Sequence, residues 1–191
     1  MKRIYTYLLT RPNTWVLAIT TVVAFFYQQW IRGVLDANYA ASKFPVPFFV
    51  QQLSFSPEKM KAWYAYMVSQ GTLGQYIHTQ NIDSLFILGT FALFVLGLTF
   101  LSRLFPAGSR SRKIMVGLAL FSGFAAIFDQ CENLVSYIML ANPSGFPNVL
   151  AYVISSFSAL KFGVFVATYL IAIISPVLAL VLFIKRRMAT R

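Results

Sequence analysis

Asp129, Glu132, Asn133 and Ser136 stand at i, i+3, i+4 and i+7, so on a helix two carboxyls, an amide and a hydroxyl share one face. Two carboxyls at this spacing can hold a proton, act as an acid and base pair, or bind a cationic or hydrogen-bonding ligand. The stripe interrupts an apolar run from Ile114 to Leu140. An unpaired charge in such a run is costly in hydrocarbon, so this face must turn toward protein or water. Counted back from Leu140 at about 1.5 Å per residue, Asp129 is expected about 16 Å inside the outer boundary of the bilayer.

Neighbouring apolar runs carry polar residues at a matching depth. The first supplies Gln28 and, at its mouth, Arg32; the second supplies Asp83; the last brings Lys161 and Tyr169. Together with Asp129, Glu132, Asn133 and Ser136 these make the expected ligand-binding set, a polar cavity in the outer half of a helix bundle, open outward. Arg32 or Lys161 close to the acids would oppose their negative charge.

The elements that must position this set follow from composition. Of 191 residues, 58% are hydrophobic and 11% charged, too little polar surface for a soluble domain of this size. The expected fold is an all-α membrane protein: a four-transmembrane-helix bundle with an amphipathic helix in a long first outer loop. The spans are read at about 15–31, 82–105, 114–140 and 162–184, with the outer loop at 32–81. Within that loop Ser56-Pro57-Glu58 is a helix start and Gly71 a stop. Met60, Trp63, Tyr64 and Met67 recur at helical spacing, which predicts an interfacial helix over 57–69, placed to roof the cavity.

From Asn148 to Ile184 the chain stays apolar, longer than one span requires. A break at Lys161 and Gly163 is expected, leaving 148–160 as an interfacial or re-entrant segment. The first apolar run also has a rival reading as a signal peptide, disfavoured because the small residues at 37–40 lie too far beyond it.

The net charge of +11 would suggest nucleic acid in a soluble chain, but the basic residues flank apolar runs as the positive-inside rule describes. With both termini inside, Lys2, Arg3, Arg11, Arg103, Arg110, Arg112, Lys113, Lys185, Arg186, Arg187 and Arg191 share the inner side with no acid. This orientation is that of a multi-pass protein of a cell inner (plasma) membrane with cytoplasmic termini, in contact with membrane lipids and not with nucleic acid.

Cys131 is the one cysteine, which removes four-span thiol oxidoreductases and junction proteins built on cysteine pairs. His78 is the one histidine and reads as an interfacial residue; a metal site would need it to converge with Asp83, Asp129 and Glu132, and no metal or cofactor is expected.

Phe55-Ser56-Pro57-Glu58 in the outer loop, Tyr76 seven residues before Asp83, and the D-x-x-E-N stretch of Asp129, Glu132 and Asn133 resemble uncharacterised bacterial four-span integral membrane proteins. The resemblance covers about residues 10 to 185 and implies the four-span topology, with no activity attached.

The first functional expectation is a pocket for a lipid-like or small amphiphilic ligand. The alternative is an accessory or assembly subunit, or a homo-oligomer, whose third-span carboxyls pair with another membrane chain. A third is an acid and base enzyme acting on a lipid, for which the sequence supplies no nucleophile or oxyanion motif.

Overall fold

The computed structural model describes residues 2–189, all helix and connecting turn, so Met1, Thr190 and the expected inner Arg191 fall outside it. A short amphipathic helix, α1 (Lys2–Thr10), precedes the first span and was not expected from the sequence. Its C-terminal carbonyls have no partners within the helix, and two arginines cap them. Arg103 donates to the carbonyls of Leu9 at 2.7 Å, Leu8 at 2.8 Å and Pro12 at 3.2 Å, and Arg112 donates to Leu9 at 3.2 Å. The Tyr5 hydroxyl donates to the Lys113 carbonyl at 3.1 Å. Basic residues that the sequence assigned only to orientation therefore also dock the N-terminal helix.

Asn13 caps α2 (Thr14–Ala41) by accepting from the Trp15 N–H. The helix runs ten residues past the expected end of the span at residue 31. After a turn come the one-and-a-half-turn α3 (Phe48–Gln52) and α4 (Pro57–Ser69). Ser56 caps α4 through the Lys59 N–H with Pro57 at its first turn. Gly71, at φ +67°, closes it with the paired Gly71-to-Val68 and Thr72-to-Met67 bonds of a left-handed stop. Next, α5 (Leu73–Ser102) starts nine residues before the expected 82, so the outer loop is 42–72 rather than 32–81.

Ser109 caps α6 (Arg110–Ser122), and Gly123 alone separates it from α7 (Phe124–Ala141). Gly123 keeps near-helical φ −63° and ψ −21°, and a methyl added there would meet the Phe91 ring at 3.0 Å. The two helices thus act as one span, packed through Gly123 onto α5.

The last element corrects the sequence reading. α8 (Val149–Ala189) is one continuous helix through Lys161 and Gly163; there is no break there and no separate segment at 148–160. Lys161 is buried, with its ammonium satisfied inside the bundle, so its charge does not interrupt the helix.

Four helical stretches, Thr14–Ala41, Leu73–Ser102, Arg110–Ala141 and Val149–Lys185, are long and apolar enough to cross a bilayer. Apolar side chains cover their outward faces, from Trp15, Val23 and Phe26 on α2 to Ile173 and Val177 on α8, as lipid contact demands. This is a multi-pass helical membrane protein. α2 packs almost wholly along α5, where Gly89 lets the Tyr27 ring approach closely.

The outer ends of the helices carry a cap of their own. Met60, Tyr64 and Met67 of α4 are fully buried against Tyr76, Met139, Phe146 and Ile154. The apolar face of α4 is therefore covered by protein, not laid on the bilayer. Phe44 lies tilted against Tyr76 at 4.9 Å and edge-on to Tyr64 at 6.4 Å, filling the cap with rings.

Candidate functional site

The stripe read from the sequence faces inward: Asp129 and Glu132 are each 3% exposed, and Asn133 and Ser136 each 1%. Two helices meet it. Lys161 of α8 donates to Asp129 Oδ1 at 2.8 Å and stands 2.6 Å from Glu132 Oε2 as an ion pair. Asn133 donates to Asp83 Oδ2 of α5 at 2.8 Å. From the cap, α3 brings Gln52, whose amide donates to Glu132 Oε1 at 2.5 Å. One ammonium thus faces three buried carboxyls. A buried ion cluster holds only when its members are paired and hydrogen-bonded, which accounts for the amides of Gln52 and Asn133 beside the acids.

Five elements, α2, α3, α5, α7 and α8, wall a cavity of about 340 Å³ on this cluster, within the size range of small-ligand sites. Asp83, Asp129, Lys161 and Gln52 supply its polar atoms, and Phe48, Phe86, Phe162 and Phe165 its apolar sides. Arg32 and Asp36 stand at the mouth on α2, 3.7 Å apart and mostly exposed. The cavity opens in the gap between α2 and α8, because α2 leans on α5 and leaves that side uncovered.

Depth follows from the helix rise. Arg32, Asp83, Asp129 and Lys161 lie 18, 20, 16 and 24 residues from Thr14, Arg103, Lys113 and Lys185 at the other end of their spans. At about 1.5 Å per residue these are about 24 to 36 Å, close to the roughly 30 Å of hydrocarbon. On α2 the exposed apolar belt ends at Trp30 and on α5 it begins at Leu85, beside Arg32 and Asp83, while on α7 and α8 exposed Leu134, Ile138, Tyr152 and Val149 continue outside Asp129 and Lys161. Counted from those ends, the cluster lies in the outer part of the spans.

Of the predicted residues, Asp83, Asp129, Lys161 and Arg32 line the cavity, while Glu132 and Asn133 stand directly behind them. The other three do not join. Ser136 lies one turn further out, beside Tyr64 and Gln51 of the cap. Burial there raises the Tyr64 phenol above its ordinary range and keeps it neutral. Gln28 is buried on α2, its side chain accepting from Gln29 at 2.7 Å. Tyr169 is about half exposed, two turns inward from Lys161, with its ring edge-on to Phe94 at 5.4 Å.

His78 is exposed on α5, and among the described residues no three His, Cys, Asp or Glu side chains gather as metal ligands. Cys131 lines a different, apolar recess of about 460 Å³ on the far side of α5, with Ile87, Phe91 and Leu134. That recess is larger but carries no charged group and opens among lipid-facing side chains. Sequence reasoning missed Gln52 and the aromatic walls. The short α3 carries too few residues for a periodic signal, and the phenylalanines look like any lipid-facing ring.

Compared with protein-family models, with curated proteins and with solved structures, the chain matches none.

Proposed function

We propose that this protein binds a lipid-like or small amphiphilic ligand in the polar cavity at the outer end of the spans. The observation that carries the reading is the cavity between α2 and α8, with a charged, hydrogen-bonded floor and aromatic walls. Such a mixture of few polar groups and many rings is what amphiphile sites use to orient a head and accommodate a tail.

The excess of basic residues at the end that holds α1, the α5–α6 turn and the end of α8 favours a plasma (inner) membrane orientation with both termini cytoplasmic. The cap and cavity would then face outward. The four-span bacterial group suggested by the D-x-x-E-N stretch fits that placement.

The subunit reading draws less support. Its carboxyls would have to reach a partner chain, yet Asp129 and Glu132 are buried and already meet Lys161. An acid and base role on a lipid would use the same cavity, but Cys131 lies elsewhere and the lining residues include no serine, threonine or cysteine.

Native mass spectrometry from lipid nanodiscs tests the proposal, comparing wild type with the Asp129→Asn, Glu132→Gln double variant. A small bound mass present in wild type and lost in a folded double variant is the expected result. A co-released polypeptide lost in the same way would replace the proposal with the subunit reading, and equal small-mass binding by both proteins would refute it.

A further inference from the structure

A second, apolar cavity of about 230 Å³ lies in the same gap between α2 and α8, floored by Phe94, Gly97 and Leu101 of α5 and flanked by Phe25 and by Thr168 and Tyr169. The Phe94–Phe165 pair, edge-on at 5.4 Å, stands between it and the polar cavity. The two therefore lie in line along one groove between the helices, with that ring pair between them, charged at the outer end and apolar at the inner. From Lys161 to Ala172 on α8 the groove runs 11 residues, about 17 Å, which is the depth of one lipid leaflet.

The charges at the upper end select the headgroup. Lys161 is engaged at short range by Asp129 and Glu132, while Asp83 faces the cavity with an amide partner and, among the described residues, no cation within ion-pairing distance. An ammonium group is the missing complement there. At the mouth, Arg32 holds Asp36 only at 3.7 Å, and its guanidinium is well suited to a phosphate.

Resting on the reading of the cavity as an amphiphile site, we infer that the groove holds one acyl chain of an amine-bearing zwitterionic phospholipid. The ammonium lies toward Asp83, the phosphate toward Arg32, and the chain runs along Phe94 and Gly97.

The test uses the full chain in nanodiscs of equal phosphatidylethanolamine and phosphatidylglycerol, with retained lipid read by native mass spectrometry. Short-chain dihexanoyl phosphatidylethanolamine is titrated separately in detergent. Wild type should retain the ethanolamine lipid over the glycerol lipid by about tenfold, as one charge-assisted contact supplies. Asp83→Asn should erase that preference. Gly97→Phe should cut retention of the long-chain lipid about tenfold while leaving the short-chain titration unchanged. A Cβ at Gly97 meets only the Thr21 methyl, at 3.7 Å, so the ring can enter the groove without displacing backbone.

Unchanged retention in Gly97→Phe overturns the acyl-chain assignment but leaves the polar site standing. Equal retention of both lipids by wild type overturns the headgroup assignment. If wild type takes neither the long-chain nor the short-chain lipid, the amphiphile reading itself fails.

Discussion

Lys161→Met is expected to lower stability by about 3–5 kcal/mol, because it leaves Asp129 and Glu132 buried with no cation. For a chain of this size that is a fall of roughly 6–20 °C in melting temperature. The cause is the uncompensated charge and not lost packing, since methionine fills nearly the same volume as lysine. The triple variant Asp129→Asn, Glu132→Gln, Lys161→Met removes all three charges together and should recover most of the loss, to within about 2 kcal/mol of wild type. Thermal unfolding of the four proteins (wild type, Lys161→Met, the double carboxyl variant and the triple variant) in one detergent measures the coupling. If Lys161→Met melts like wild type, the ion cluster does not hold α7 against α8.

The second large effect lies in the cap. Tyr64→Ala should cost about 3–5 kcal/mol, the range for removing a fully buried aromatic ring. Its ring packs against Phe146 at 6.0 Å and Tyr76 at 6.2 Å, so the loss falls on the contact that seats α4 on the ends of α5, α7 and α8. Tyr64→Phe should change stability by less than about 1 kcal/mol. The Tyr64 hydroxyl, the Ser136 hydroxyl and the Gln51 amide nitrogen make no hydrogen bond of good geometry among the described residues, so little bonding is lost with the oxygen. Hydrogen exchange should show α3 and α4 opening in Tyr64→Ala while the four spans stay protected. Equal protection of α4 in wild type and Tyr64→Ala would mean that another contact anchors the cap.

How much of this was legible varied with the kind of signal. The stripe at Asp129, Glu132, Asn133 and Ser136 could be read because acids at helical spacing in an apolar run must turn away from lipid, toward protein or water. The bounds of α4 were equally plain, set by Ser56-Pro57 and by Gly71. Lys161 was misread as a break. A single charge in a long apolar run looks the same whether it meets headgroups or a buried carboxylate, and only the partner on another helix decides.

The misplaced starts of α5 and α8 had a related cause. Hydropathy locates apolar stretches, but α5 and α8 continue for ten and twelve residues outside Asp83 and Lys161 before they start. Nothing in periodicity separates turns in lipid from turns under a cap. Gln52 was invisible for a third reason: its role is set by where α3 is carried, not by its own neighbours in sequence.

If the cavity between α2 and α8 is an amphiphile site, a crystal structure grown from a lipidic phase doped with phosphatidylethanolamine will show it occupied. The expected result is elongated density with its head within hydrogen-bonding distance of Asp83 and its tail running past Phe94. A structure in which α2 has closed onto α8, leaving no cavity beside Asp83, Asp129 and Lys161, would overturn the amphiphile site.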